Sequence, residues 1–588
     1  MVLQEKDYLV EQADIDSPNF IAWLEYIESK FANNNAILFR RGKQKEFTVW
    51  TYRRFASEAR RIACGLLAAG LKKGDCVALW SENCPEWMAV WMGAALAGCA
   101  IVPVDFLVSE DECYNIIKFT RAKAFFFSSQ KTDFAASQRV TSAGVLVFVN
   151  VSNESYSKFG EGAELSSLPG AGDIKPDDCC SIVFTSGTTG LAKGVMLSHK
   201  AIIDNANAAI IILQPKPENN DVFINVLPLH HTYPTTCSFI SPFCVGVPTI
   251  IVERIVGQVV IDDIRDGKGT FLIAVPLLYD KVMHGINSKY QKLPFFVRFP
   301  INVLRSISLS KAKKGRPEFG RKALRFFRKK AGLDSINIMV AGGGALSPKT
   351  ADFFDSFGFN MLQGYGMSEN APLISVNTIR FKNNASVGLP VKHTEVRIVD
   401  RDDDSRYLNN GENGEIIVKS PSIMLGYYEN PQATSEMFNK DGYLKTGDLG
   451  YIDPRGFIFI NGRKKNLIVS SGGKNIYPEE IEGCFFASKI IAEILVVGRT
   501  TPEKGEHIFA AVFPNYEALT EDYGDKANNV QFVTSLVKKE IEMVNRKLPV
   551  YKKISDWTLR KTEFEKNAQR KIRRFLYKDY ETVDVLEC

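Results

Sequence analysis

Ten residues at 185–194, Thr-Ser-Gly-Thr-Thr-Gly-Leu-Ala-Lys-Gly, collect hydroxyls, glycines and one lysine in a short loop after the apolar run 181–184. Such a loop lets backbone N–H groups and hydroxyls approach a polyphosphate, and the Lys193 ammonium offsets its charge. The spacing G-x-x-G-x-x-K-G departs from the G-x-x-x-x-G-K-[ST] of a Walker A loop, so the common NTPase reading fails. Further polar clusters follow strand-like runs. At 363–369, Gln-Gly-Tyr-Gly-Met-Ser-Glu, the glycines permit a tight turn, Tyr365 offers a ring to a base, and Glu369 offers a hard oxygen to Mg²⁺. At 341–345, Ala-Gly-Gly-Gly-Ala lets backbone lie against a flat ring. At 443–450, Tyr-Leu-Lys-Thr-Gly-Asp-Leu-Gly puts Asp448 in a tight turn suited to ribose hydroxyls. Any one of these three later clusters alone reads more readily as a structural turn than as a ligand site.

These clusters need elements to hold them. The first half alternates: 47–69 is helical after an extended start, and 75–80, 100–104, 125–127 and 145–149 read as strands. That alternation predicts a largely parallel, helix-covered sheet. Residues 151–178, poor in large apolar side chains, read as a loop. The uncharged run 87–104 is broken by Gly98 and Pro103, so it reads as a buried helix, a turn and a strand, not a membrane span. A second boundary falls near Arg463, where the strand 456–460 is followed by Arg-Lys-Lys-Asn at 463–466, the apolar run 467–469 and Gly472-Gly473. The division is 1–462, a hinge at 463–466, and 467–588, which is long enough for a small domain. The expected fold class is α/β, with a large N-terminal domain of helix-covered β-sheets and a small C-terminal α+β domain joined by the hinge.

Taken together and in order, the motifs resemble the adenylate-forming superfamily of acyl-CoA synthetases, firefly luciferases and peptide-synthetase adenylation domains. The set comprises the loop at 185–194, Leu-Pro-Leu-His-His at 227–231, Gly-Gly-Gly-Ala at 342–345 and Gly-Tyr-Gly-Met-Ser-Glu at 364–369. It continues with Ser-Val-Gly-Leu-Pro at 386–390, Gly-Tyr-Tyr-Glu-Asn-Pro at 426–431 and Thr-Gly-Asp at 446–448. Gly-Arg-Lys-Lys at 462–465, Pro-Glu-Glu-Ile-Glu at 478–482 and Lys-Ile-Arg-Arg at 571–574 complete it. The resemblance implies that Thr185, Ser186, Gly187, Thr188, Thr189, Gly190 and Lys193 line the β- and γ-phosphates of ATP. It implies that Gly343, Gly344, Tyr365 and Gly366 frame adenine and that Ser368 touches the α-phosphate. Glu369, with Thr185, would hold Mg²⁺, and Asp448 and Arg463 would bind the ribose. His231 would stand between the nucleotide and the carboxylate, although His230 beside it leaves the register open. Lys571 would be the catalytic lysine, bridging the carboxylate and the α-phosphate as negative charge builds between them. The family's glycine before this lysine is missing from Glu-Lys-Asn-Ala-Gln-Arg at 565–570, which makes Lys566 the competitor. Lys465 takes the hinge position about which the C-terminal domain turns between acyl-AMP formation and transfer to CoA.

Composition bounds the rest. Hydrophobic content of 45% and charged content of 24% are those of a globular protein, and 588 residues exceed what one core usually serves. Eleven cysteines form no C-x-x-C pair, which argues for reduced thiols in a cytoplasmic setting. The first residues lack the basic-then-apolar order of a signal peptide. Between Gln291 and Lys330 stand thirteen lysines and arginines against one acid, Glu318, so this segment outweighs the whole net charge of +6. The stretch 293–300 is aromatic and apolar, and 311–330 is basic with Phe319, Ala323, Phe326 and Phe327 on one helical face. That mixture suits an anionic membrane surface contacted through 293–330, hence peripheral membrane association; a solvated helix is the plainer reading, and no motif supports nucleic acid. A long basic insertion here looks like the long-chain fatty acyl-CoA synthetases. The expected function is therefore ATP-dependent activation of a long-chain fatty acid and transfer to CoA. An acyl-carrier protein is the alternative acceptor, and an aryl or medium-chain acid the alternative substrate.

Overall fold

The computed structural model describes the chain except for residues 1–8, 10–14, 43, 165–167, 171, 186–192, 470–473, 487, 502–504, 567–571 and 578–588. Two mostly parallel sheets make up the bulk of the large part. In the seven-stranded sheet, Cys179–Thr185, Ala100–Pro103, Cys76–Trp80, Ala124–Phe127 and Val147–Asn150 are parallel neighbours. In the nine-stranded sheet, Asn360–Gly366, Ile338–Ala341, Phe271–Ala274, Phe223–Asn225, Thr249–Ile251 and Asn35–Phe39 run parallel in that order. Continuous apolar runs such as Cys76–Trp80 and Phe271–Ala274 are buried along their whole length, as strands covered on both faces must be. Antiparallel additions then fold back over strand ends. Lys193–Ser198 returns along Cys179–Thr185, and Leu373–Val376 returns along Asn360–Gly366.

The uncharged run resolves as the sequence predicts. Pro85–Leu96 is a helix buried on every side, Gly98 turns the chain with φ +73°, and Ala100–Pro103 is a strand. Among the described residues no helix is long and apolar enough to cross a membrane. A separate four-stranded antiparallel sheet follows, built from Glu395–Val399, Gly414–Lys419, Leu444–Ile452 and Ile458–Arg463. Beyond it lies a smaller α+β unit. There Ile491–Thr501 and Gly505–Pro514 pair antiparallel, Asp556–Leu559 joins parallel, and Val530–Asn545 is its long helix. Its core gathers Ile481, Val496, Ile508, Val512, Val537 and Ile541, apart from the cores of the large sheets.

Four local expectations change. The segment 151–178 contains a helix, Glu154–Lys158, whose start is capped where Asn153 accepts the Ser155 N–H at 2.8 Å. Asp448 lies within the strand Leu444–Ile452, not in a turn, because its neighbours alternate into the ladder with Ile458–Arg463. The stretch 364–366 is likewise strand, and a Cβ on Gly366 would run into the Pro372 carbonyl across the pair. Glycine there allows a close strand approach instead of a turn. Finally, the basic run is no single helix: Phe295–Ala312, Glu318–Ala323 and Arg325–Lys330 are three pieces. Gly315 at φ +70° and Pro317 end the first, and Leu324 divides Phe319 and Ala323 in the second from Phe326 and Phe327 in the third, so the four share no single helical face.

Candidate active site

The carboxyl ends of the parallel strands open onto one cleft of 3080 Å³, bounded on its other side by the C-terminal unit. Crevices outside the carboxyl ends of such strands are where open α/β sheets hold ligands. Strand Ile338–Ala341 delivers Gly342, Gly343 and Gly344 to the cleft. A Cβ on Gly342 would stand 2.7 Å from Cζ of Tyr233, and Gly343 adopts φ +77°, so this turn needs glycine for both space and conformation. Tyr233 is fixed in turn where its hydroxyl donates to the Val340 carbonyl at 3.2 Å.

Strand register builds the next group. Asp448 and Arg463 are opposite each other in the antiparallel pair, and Arg463 Nε meets Asp448 Oδ1 at 2.8 Å. From the nine-stranded sheet, Tyr365 Oη donates to Asp448 Oδ2 at 2.6 Å. Arg463 Nη1 also donates to the Thr446 carbonyl at 3.1 Å, and the Asp448 N–H donates to Thr446 Oγ1 at 3.0 Å. One carboxylate is thus held by two side chains that come from different sheets. Burial and the neighbouring Asp448 raise the Tyr365 phenol well above its ordinary range, so it stays a donor.

A second group links three segments. Tyr427 Oη donates to Glu369 Oε1 at 2.8 Å, and Lys193 Nζ stands 4.7 Å from the centre of the Tyr427 ring. Lys193 is paired in register with Thr185, whose hydroxyl reaches the Lys193 carbonyl at 3.5 Å. The two strands therefore present both ends of the phosphate loop to the cleft, while Ser186, Gly187, Thr188, Thr189 and Gly190 lie outside the described residues. Ser368 Oγ lies 3.4 Å from Thr232 Oγ1, next to His231. His231 lines the cleft, whereas His230 is buried 3.6 Å from Asp105. Burial pushes His230 down to about 3, so it is a neutral core histidine and that contact is no ion pair. The register question between the two histidines resolves in favour of His231 as the cleft residue.

Glu369 retains a second carboxylate oxygen beyond its bond from Tyr427, and Thr185 offers a hydroxyl from the adjoining strand. Both are hard oxygen donors of the kind Mg²⁺ accepts alongside phosphate oxygens and water. Among the described residues no group of three or more His, Cys, Asp or Glu is arranged to hold a metal ion.

The C-terminal unit meets this site through the turn Lys464–Asn466. Lys464 Nζ pairs with the buried Glu415 at 2.7 Å, and Asn466 donates to Glu479 Oε1 at 2.5 Å. Lys465 is held below the ordinary lysine range by burial and by Arg463 and Arg574 nearby. Farther on, Lys566 and Ile572 form a bridge, and the Arg573 N–H donates to the Glu565 carbonyl at 2.9 Å. This hairpin stem flanks Lys571, which itself lies outside the described residues. Lys566 is engaged by Glu493 and by Glu563, the latter at 2.8 Å, and burial is outweighed by both carboxylates in raising it above the lysine range. It is therefore committed to the stem. Arg574 is anchored to the buried Glu482, whose other oxygen accepts the Val496 N–H at 2.7 Å.

Tyr427, Tyr233 and Glu415 received no role from sequence alone. Tyr427 stands inside the 426–431 motif, which was a usable signal, and Tyr233 follows the histidines. Glu415 had none, since its part depends on a strand pairing.

The sequence matches the AMP-binding enzyme family over residues 27–428. It is 30% identical over 556 residues to long chain acyl-CoA synthetase 1 of Arabidopsis thaliana, covering 86% of this chain and 80% of that one. It is 25% identical over 562 residues to a chloroplastic long-chain-fatty-acid–[acyl-carrier-protein] ligase of Arabidopsis thaliana, covering 84% and 75%. In fold it is similar to ATP-bound MatB from Rhodopseudomonas palustris, with a TM-score of 0.75 at 23% identity over 96% of this chain and 99% of that one. With the ordered motifs gathered on one cleft and a match across most of the chain, this protein belongs to the AMP-binding enzyme family, as an AMP-forming acid–thiol ligase.

Proposed function

We propose that the chain joins a long-chain fatty acid to CoA in two half-reactions at this cleft. In the first, a carboxylate oxygen attacks the α-phosphorus of ATP, the bond to the β-phosphate oxygen breaks, and acyl-AMP and pyrophosphate form. In the second, the CoA sulfur attacks the acyl carbonyl carbon, its proton is lost, and AMP leaves with the electron pair of the broken C–O bond. The reading rests on one observation above others: a single cleft is lined both by Lys193, Glu369, Asp448 and Arg463 and by the apolar Ala209, Ile212, Leu213 and Val376. A nucleotide and a hydrocarbon chain are thereby served from one space.

In this reading Asp448 and Arg463 hold the ribose, with Tyr365 locking the carboxylate, and Gly343, Gly344 and Gly366 lie against the adenine. Lys193 and the 185–190 loop bind the outer phosphates, Ser368 bonds the α-phosphate, and His231 separates nucleotide from acid. Mg²⁺ neutralises phosphate charge when bound, and Glu369 with the Thr185 hydroxyl would hold it. Lys571 bridges the two anions in the first transition state. Residues 1–462 act as the adenylate-forming domain, 463–466 as the hinge about Lys465, and 467–588 as the mobile domain. An acyl-carrier protein as acceptor is the second reading, supported by the chloroplastic relative named for that reaction.

The test is pyrophosphate release across acids from acetate to stearate and with benzoate, each with and without CoA. Release that peaks at the long end and continues only with CoA is the expected outcome. Accumulated acyl-AMP without CoA turnover, discharged by an acyl-carrier protein, selects the second reading. A peak with benzoate or with medium chains overturns the long-chain assignment.

A further inference from the structure

The helix Phe295–Ala312 is turned the wrong way for a helix that meets only water. Its buried side holds Ile301, Ser308 and Ala312, with Arg305 half-buried over the Phe357 ring. Its outer side exposes Phe295 at 71%, Phe296 at 77%, Phe299 at 60%, Val303 at 46% and Ile307 at 41%. These positions recur at helical spacing, so they form one stripe about 18 Å long. Between Phe295 and Ser310 no exposed side chain is charged; the rest of that face is proline, asparagine and serine. A surface helix ordinarily places its charges there.

Cations bracket the stripe instead. Lys292 precedes it, and Lys311, Lys313 and Lys314 follow, all exposed, with Lys313 paired to Asp352 at 2.9 Å. The charge of the wider segment is not all at the surface, however. Arg328 is buried, donating to the Gly358 carbonyl at 2.8 Å and to that of Ile336. What remains outside is an uncharged aromatic face with a lysine cluster at its end. A second copy of this chain seated on the same face would bring like-charged clusters together, because a two-fold interface opposes a patch to itself. A bilayer with anionic headgroups satisfies both halves, taking the rings into the acyl boundary and the lysines onto the lipid phosphates.

We propose that Phe295–Ala312 lies in the interface of an anionic membrane, with Phe295, Phe296 and Phe299 inserted. This deepens the long-chain reading above and rests on it for its purpose. The preceding helix, Pro276–Gln291, lines the cleft through Leu277, Lys281 and His284, so the membrane-seated element is continuous with a cleft wall. The contact falls within the 293–330 segment predicted from sequence and places its aromatic face on 295–307, not on 311–330.

The experiment is co-sedimentation of the full chain with vesicles of phosphatidylcholine alone or mixed with phosphatidylglycerol. Wild type is expected to bind the mixed vesicles at least about tenfold more tightly than the neutral ones. F295S/F296S/F299S is expected to lose about tenfold or more of that binding while releasing pyrophosphate normally from a water-soluble shorter acid. K311Q/K313Q/K314Q should lose the preference for phosphatidylglycerol and keep a weak attraction to both vesicles. Equal sedimentation of wild type and the triple-serine variant overturns the proposal. So does a concentration-dependent dimer, detected by light scattering, that the serine variant abolishes. Vesicle binding needs no turnover, so absent pyrophosphate release with intact binding sinks the catalytic reading alone.

Discussion

The nucleotide side of the cleft and the hairpin stem of the C-terminal unit are built by different means. On the nucleotide side, Asp448 is fixed by strand register opposite Arg463 and by a phenol from another sheet. Its groups are buried or half-buried, and each is held by a partner already in the ladder. The stem residues 565–566 and 572–573 are held by ion pairs, Lys566 to the half-buried Glu493 and the exposed Glu563, and Arg573 to the exposed Glu565 at 3.1 Å. The Lys566–Glu493 and Arg574–Glu482 contacts are both half-buried, and burial pushes the Glu482 carboxyl up to about 7 against the pull of Arg574. One region is pre-arranged to receive a ligand. The other is a bridged stem that flanks in sequence the lysine proposed for the first half-reaction. Losses in the first should therefore weaken binding of ATP, and losses in the second should slow one chemical step.

The sharpest test of that contrast is Lys571→Ala against Lys566→Ala. Removing Lys571 should slow pyrophosphate release about a thousandfold, ~4 kcal/mol of transition-state stabilisation, and leave acyl transfer from supplied acyl-AMP to CoA intact. Lys566→Ala should cost about tenfold or less, since its ammonium serves the stem. Equal losses in the two variants would erase the distinction. Next in size is a pH effect in the large part. His199 is buried and accepts the Phe20 N–H at Nδ1, 3.3 Å away, and burial pushes it down to about 4. The native state thus binds fewer protons than the unfolded chain, and stability is lost as pH falls from about 6.5 toward 4, by on the order of 3 kcal/mol. Calorimetry across that range should show the slope in wild type and a flatter one in His199→Gln. Asp448→Asn leaves Arg463 without its counter-charge and should raise the KM for ATP roughly tenfold, ~1.4 kcal/mol, with the acid's KM little changed. The smallest effect is expected from Tyr427→Phe, which keeps the ring under Lys193 and removes the bond to Glu369. A rise of about threefold in the Mg²⁺ concentration for half-maximal rate is predicted, and no change would mean Glu369 needs no such support.

Much of the site was legible because its chemistry sits in contiguous runs. The loop at 185–194, the glycines at 342–344 and the carboxylates Glu369 and Asp448 announce themselves by residue type and spacing. The alternation of apolar runs likewise predicted the parallel strands and the buried helix after Cys84. Local backbone was read less well. Gly364, Gly366 and Gly447 suggested turns, yet all three stand in strands: Gly366 allows a close backbone approach to Pro372, and Gly447 supplies a φ of +70° within its strand.

What sequence by itself determined was the inventory: which phosphate-binding, carboxylate and lysine groups exist, and in what order the elements carrying them follow. Which of these groups touch was decided by tertiary structure. The bonds from Tyr365 to Asp448 and from Tyr427 to Glu369 join residues 83 and 58 positions apart. The choice between His230 and His231, and the commitment of Lys566, likewise depended on which side chain is buried or paired. So did the outward stripe on Phe295–Ala312, since helical spacing gives a face but not the side on which the core lies. Pairwise contact and burial are properties of the packed chain, and neither is encoded at a single position.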